Sequence, residues 1–215
     1  MIKNYKHIIW DWNGTLLNDV DYCKNIINRI LVQNKLPELS LKKYREIFTF
    51  PVQKYYEAAG LDFSKKSFEV LGKDFIDEYE KKKLSCSLFE KTIDVLSAIH
   101  KKGIGQSVLS AYLHDNLVRI LDHYNLTKYF NHIIGLDNIY AGSKTHLGLL
   151  LVDKLNLPTE KVLFVGDTLH DYEVAEAMGV NSILIADGHQ TKARLNKNGI
   201  LVLDNLFELK NYLKL

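Results

Sequence analysis

Cysteine is scarce: Cys23 and Cys86 are the two in 215 residues. Two thiols without ligand spacing exclude a disulfide framework or a cysteine-built metal site, and they fit a reducing compartment. An excess of either charge is also lacking. Lysine and arginine number 28 against 26 acidic residues, a net +2, so no basic face for nucleic acid or membrane stands out. The run Lys81-Lys82-Lys83 reads as a solvated helix end. No apolar stretch approaches the roughly 20 residues of a membrane span. No leader-like segment opens the chain, and there are no repeats or low-complexity tracts. The expectation is a cytoplasmic protein with neither nucleic-acid nor membrane partner; its oligomeric state is not legible.

What is present is material for a core. Hydrophobic residues make up 47% of the chain, enough for one domain or for a core with a smaller module. Short β-branched runs at 8–10, 105–109, 132–136, 162–165, 182–186 and 200–203 predict strands. Helical patterns at 89–102, 115–124, 171–178 and 205–213 fall between the later ones. Alternation of this kind predicts an α/β fold: a Rossmann-like parallel sheet with helices on both faces. Residues 19–88 show no convincing strand. Cys23, Ile26, Ile27, Ile30 and Leu31 trace one helical face; Phe68, Leu71, Phe75 and Tyr79 trace another. This predicts a core of residues 1–17 and 89–215 with a small all-helical cap of residues 18–88. The alternative is that these helices simply complete the main core.

Four short sequences stand at or just after predicted strand ends, where open α/β sheets deliver reactive groups. They are Asp11-Trp12-Asn13-Gly14-Thr15, then Leu109-Ser110-Ala111, then Gly142-Ser143-Lys144-Thr145, and last Gly166-Asp167-Thr168-Leu169-His170-Asp171. Each alone is weak, since a strand-end Asp is commonly a helix cap and a Ser a turn residue. In this order they resemble the haloacid dehalogenase-like hydrolases, whose pattern is Asp-x-Asp-x-Thr, a Ser or Thr, a Lys, and Gly-Asp-[Ser/Thr]-x-x-Asp. The layout is most similar to the phosphoglycolate-phosphatase-like branch, which carries its helical C1-type cap after the first motif.

The resemblance implies a Mg²⁺-dependent phosphatase acting on a small phosphorylated substrate. Asp11 is then the nucleophile that forms an aspartyl-phosphate. Asp11, Asp167 and the backbone carbonyl of Asn13 are expected to hold Mg²⁺, with Asp171 as a further ligand or an anchor for its water. Ser110 and the Ala111 N–H are expected on the phosphoryl oxygens. Lys144 supplies positive charge between nucleophile and phosphate. Thr15, grouped with the substrate-binding residues, is expected chiefly to brace the first loop. Lys144 precedes Thr145 where the family frequently has Pro, a mild departure.

Asn13 is the larger departure. The family places there the carboxyl that protonates the leaving group and activates water, and an amide cannot exchange that proton. Such help is worth about 10² to 10⁴-fold in rate. One reading transfers the proton role to His170, histidine being the side chain suited to exchange near neutral pH; Asp19 is a weaker candidate. A second gives the substrate a good leaving group, as in an acyl or aryl phosphate. A third makes the chain a weakly active or non-catalytic phosphate-ligand-binding protein. Halide displacement, mutase chemistry and phosphonate cleavage fit less well. The aromatic stretch 48–56 is either a substrate-facing loop, with Gln53 or Lys54 reading the leaving group, or the small core of the cap. The second is favoured because aromatics dominate small cores.

Overall fold

The computed structural model describes residues 4–137, 144–196 and 199–215. The chain begins with β1 (His7–Trp10) and the short β2 (Leu17–Asn18). Four helices follow: α1 (Val20–Gln33), α2 (Leu41–Ile47), α3 (Val52–Ala58) and α4 (Phe68–Lys82). Next, β3 (Ser87–Leu88) pairs antiparallel with β2. From there strand and helix alternate through α5 (Thr92–Lys101), β4 (Gly105–Leu113), α6 (His114–His123), β5 (His132–Leu136) and α7 (Thr145–Leu155). The chain ends with β6 (Val162–Gly166), α8 (Leu169–Ala177), β7 (Asn181–Ile185), α9 (Lys192–Leu195), β8 (Val202–Leu203) and α10 (Leu206–Tyr212).

Six strands form one parallel sheet in the order β5-β4-β1-β6-β7-β8. The central strands are buried on both faces, which is why they read as continuous apolar runs. Ile8 and Trp10 point into one core with Val108, Leu163 and Val165, beneath α5, α6 and α10. Ile9 points the other way, joining Leu109, Val162 and Phe164 beneath α7 and α8. The period-2 alternation of a strand thus gives the helices on both faces that the sequence predicts. The chain leaves β1 for β4 and β5 on one side, then crosses to β6 on the other. The carboxyl ends of β1, β4 and β6 therefore adjoin at a topological switch point.

Helices α1–α4 lie between β2 and β3. The expected face of α1 is buried throughout, and of the expected α4 face Leu71 and Tyr79 are buried. Ser40 and Ser67 cap α2 and α4 by accepting from the third helical N–H. The apolar interior of these helices is continuous with the first core. Two expectations need correction. Residues 87–88 are a strand, because β3 closes the helical segment back onto β2. The lysine run is not wholly solvated: Lys83 is buried, bonded to Glu80 and to the Tyr112 hydroxyl at 2.9 Å. Among the described residues no helix is long and apolar enough to cross a membrane.

Candidate active site

Asp11 follows β1, and its N–H still bonds the Val165 carbonyl at 2.9 Å. The backbone stays in the sheet while the side chain emerges at its end. The chain then turns at Gly14, whose φ is +74° and where a Cβ would stand 2.4 Å from Asp167 Oδ2. A Cβ at Gly188 would stand 2.2 Å from the same oxygen. Both glycines let backbone pack directly onto the second carboxylate. Asp167 Oδ1 accepts from Thr15 Oγ1 at 3.1 Å, and Oδ2 from the His189 N–H at 2.6 Å. Thr15 is wholly buried in that contact. Its hydroxyl is committed to Asp167, and it does not line the cavity described below.

Thr168 and Asp171 form a capping box at the start of α8. Asp171 Oδ2 accepts from Asp167 N (3.1 Å), Thr168 N (2.9 Å) and Thr168 Oγ1 (2.8 Å), leaving Oδ1 for Lys144 at 2.8 Å. Lys144 precedes α7 and is buried; its Nζ also pairs with Asp11 Oδ1 and donates to the Leu109 carbonyl at 3.1 Å. Gly142 and Ser143 of that predicted motif lie outside the described residues. Ser110 and Ala111 are not at a strand end, because β4 runs on to Leu113. Its register against β5 shifts between Leu109 and Leu113, and Ser110 lies in that irregular stretch.

Asp11, Asp167 and Asp171 each offer a carboxylate oxygen, all within 4.8 Å of one another. One ammonium stands against these three carboxylates. Burial pushes Asp11 up to about 8; Lys144 opposes the shift while Asp171 and Asp167 add to it. Burial likewise lifts Asp167, to about 6. Asp171 goes the other way: burial opposes ionisation, but Lys144 and the Thr168 bond outweigh it. The raised values reflect uncompensated negative charge in a dry place. An all-oxygen donor set with surplus negative charge fits a hard divalent cation such as Mg²⁺.

A second polar cluster adjoins the first. The Asn13 amide donates to Asp19 Oδ2 and to the Tyr79 hydroxyl, both at 2.7 Å. Tyr79 donates to the same Asp19 oxygen at 2.8 Å. Asp19 Oδ1 accepts from the Gly14 N–H at 3.1 Å and faces His189 Nε2 at 3.3 Å. His189 Nδ1 bonds the Tyr44 hydroxyl at 2.8 Å. Burial works against charge on Asp19, yet the His189, Asn13 and Tyr79 bonds hold its pKa below the ordinary value. Burial also opposes protonation of His189, and Asp19 with Asp167 and Asp11 overcomes it.

Both clusters form the floor of a cavity of about 160 Å³. Asn13, Ser110, Ala111, Lys144 and His170 line it beside the carboxylates, and aromatic side chains from residues 44–79 form much of the wall. His170 stacks on Phe50 with ring centroids 4.8 Å apart. Its Nδ1 lies 3.4 Å from Glu173, and its buried Nε2 has no partner. Gln53 and Lys54 are exposed and do not line the cavity. Phe48, Phe50 and Tyr55 do line it, while also packing on one another as a small aromatic core.

Sequence reasoning brought Asp11, Asn13, Ser110, Ala111, Lys144, Asp167, His170 and Asp171 to one place, and the structure assembles them there. It missed His189, Tyr79 and Tyr44. For His189 a signal existed: Asp187-Gly188-His189 follows the predicted strand at 182–186, the same strand-end position as the other motifs. Tyr79 and Tyr44 carried none, being aromatics on apolar faces.

The haloacid dehalogenase-like hydrolase family matches residues 8–185 of the chain. A phosphoglycolate phosphatase of Salmonella typhi is 30% identical over 104 residues, covering 47% of this chain and 41% of that protein. The match thus spans less than half of that relative's length. Phosphoglycolate phosphatase 1 of Pseudomonas aeruginosa is 23% identical over 94% of this chain and 77% of its own. Among solved structures, a haloacid dehalogenase-like hydrolase of Streptococcus pneumoniae superposes with a TM-score of 0.82 at 19% identity, covering 97% and 98% of the two chains. Protein tyrosine kinase A of Mycobacterium tuberculosis superposes with a TM-score of 0.81 at 21% identity, covering 99% and 100%. At these identities the superpositions speak for the fold alone.

Proposed function

The chain belongs to the haloacid dehalogenase-like hydrolases, and on that premise we propose that it is a Mg²⁺-dependent phosphatase of small phosphorylated metabolites. One observation carries this reading: Asp11, Asp167 and Asp171 converge with the buried ammonium of Lys144 on the floor of a cavity. Asp11, Asp167 and the Asn13 carbonyl would hold the Mg²⁺, with Asp171 beside them. When bound it supplies charge neutralisation between the nucleophile and the phosphoryl group. An Asp11 oxygen attacks phosphorus in line and the bond to the leaving oxygen breaks, leaving an aspartyl-phosphate. The Ser110 hydroxyl and Ala111 N–H hold phosphoryl oxygens, and Lys144 offsets their charge. His170 takes the proton of the water that cleaves the acyl phosphate. Its Nε2 is partnerless in the cavity wall, whereas both ring nitrogens of His189 are engaged.

In this reading residues 18–88 are a cap over a core of residues 1–17 and 89–215. Gln190 Nε2 and Arg194 Nη1 donate to the Phe48 carbonyl at 2.9 and 2.6 Å, tying the two across the cavity. Closure of this kind excludes water and sets selectivity.

The test is phosphate release by the purified protein from a panel of alkyl, aryl and acyl phosphates that includes phosphoglycolate, with Mg²⁺ or with EDTA. Mg²⁺-dependent turnover abolished by Asp11→Asn is expected; no metal-dependent turnover of any ester refutes the reading. One observation favours a second reading, a phosphate-ligand binder. Position 13 carries an amide already committed as donor to Asp19 and Tyr79. That reading expects metal-dependent ligand binding without turnover in the same samples.

A further inference from the structure

The cavity above the carboxylates is walled by rings. Phe48, Phe50, Tyr55, Phe68, Phe75 and Tyr112 line it. Its volume of about 160 Å³ includes the floor that takes the phosphoryl group, so what is left for the leaving group is no more than the roughly 150 Å³ that accommodates one benzene. Among the described residues, Lys144 is the one lysine or arginine lining it, and that ammonium is committed to Asp11 and Asp171. A leaving group bearing a carboxylate of its own would be buried against rings with no free cation, a costly placement. Tyr55 is buried and its hydroxyl has no partner, a donor left for a polar substituent on an otherwise apolar guest.

Asn13 points the same way independently. Without a carboxyl at that position, the leaving oxygen departs unprotonated. A phenolic oxygen ionises near pKa 10, against about 15.7 for water. A phenolate therefore leaves without the general acid that an alkoxide requires.

We propose that the cavity selects aryl phosphates, monoesters whose leaving group is a single aromatic ring; this rests on the phosphatase reading above. The Asp11 oxygen–phosphorus bond forms and the phosphorus–aryloxy bond breaks, with the electron pair leaving on the phenolate oxygen. Water then cleaves the aspartyl-phosphate, returning Asp11 and releasing phosphate, and the phenolate takes a proton from solvent.

The deciding measurement is binding of non-hydrolysable phosphonates in the presence of Mg²⁺. Phenylphosphonate is expected to bind at least about tenfold more tightly than methylphosphonate, since a ring removed from water is worth more than a kcal/mol. 1-Naphthylphosphonate is expected to lose that gain in the wild type and to recover it in Phe75→Ala, which opens the wall. Equal affinities for phenyl- and methylphosphonate overturn the proposal, and if Phe75→Ala fails to fold the wild-type series still decides. Turnover separates the two proposals. Selective phenylphosphonate binding without turnover of phenyl, acetyl or glycerol phosphate refutes the phosphatase reading alone. Turnover with no preference for phenyl over glycerol phosphate, where about 100-fold in kcat/KM is expected, refutes the aryl selectivity alone.

Discussion

Asn13→Asp restores the residue that the family carries at this position, yet it is expected to destabilise this protein. The Asn13 amide nitrogen lies 2.7 Å from Asp19 Oδ2, which also accepts from Tyr79 at 2.8 Å. An aspartate there places one carboxylate against another with no proton between them. Two unit charges about 4 Å apart repel by about 4 kcal/mol at an effective dielectric of about 20. Protonating one of them at about pH 7.5 sets a ceiling: (7.5 − 3.9) × 1.36, or about 5 kcal/mol. His189 sits on the other Asp19 oxygen and does not separate the pair. A loss of about 4 kcal/mol follows, roughly a 10 °C drop in Tm for a chain of this size. The introduced carboxyl has a folded pKa above its unfolded value, so the folded state holds its proton longer. The penalty is absent below the unfolded pKa, grows as pH rises, and is full above the folded pKa. At about pH 5 it falls to (5 − 3.9) × 1.36, or about 1.5 kcal/mol.

The pair can be reversed. In Asn13→Asp combined with Asp19→Asn, the amide donates from residue 19 to a carboxylate at 13, while its carbonyl oxygen still accepts from the Gly14 N–H. Chemical denaturation of the two single variants and the double at both pH values measures the coupling. The double is expected to be at least about 2 kcal/mol more stable than the sum of the single losses predicts. An Asn13→Asp protein as stable as wild type near pH 7.5, a loss independent of pH, or additive behaviour refutes the reasoning.

Two further outcomes follow from the carboxylate floor and its imidazole. In metal-free protein, Asp11 and Asp167 are raised to about 8 and about 6, so their contribution to stability is lost as pH climbs from about 4 to 8, offset in the lower part of that window by His7, which burial lowers to about 4; Asp171, with a lowered pKa, acts only below that window. Mg²⁺ fixed at about 100 times its Kd at pH 8 adds about 2.7 kcal/mol there, and the same concentration is expected to raise Tm less at pH 5.5, where protonated carboxyls weaken its binding. Equal gains at both pH values, or none, contradict this. His170→Ala is expected to lower kcat by about 10²-fold or more with little change in phenylphosphonate affinity; unchanged kcat removes His170 from the proton path.

Much of the sheet was legible because strand burial is written locally. Ile8–Trp10 and Val162–Val165 are apolar on both faces, and each is followed by the carboxylate that its strand end presents. The boundary misses also have local causes. β4 continues past Leu109 because its register slips against β5. β3 is two residues long and exists through its pairing with β2. Lys83 looked like a solvated charge and is buried because Glu80 and Tyr112 meet it there.

By itself the sequence determined the order of the candidate site residues: Asp11, Ser110, Lys144, Asp167 and Asp171 each sit at a fixed offset from a strand or helix start, and such offsets survive in one dimension. Tertiary structure alone decided what surrounds them. Asn13, Asp19, Tyr79 and His189 come from the first loop, from the residue before α1, from α4, and from the loop after β7. Their hydrogen-bonded cluster exists only once the fold brings these atoms within about 3 Å. The ringed cavity is likewise a product of packing, since the aromatic faces that close the core also form the wall over Asp11.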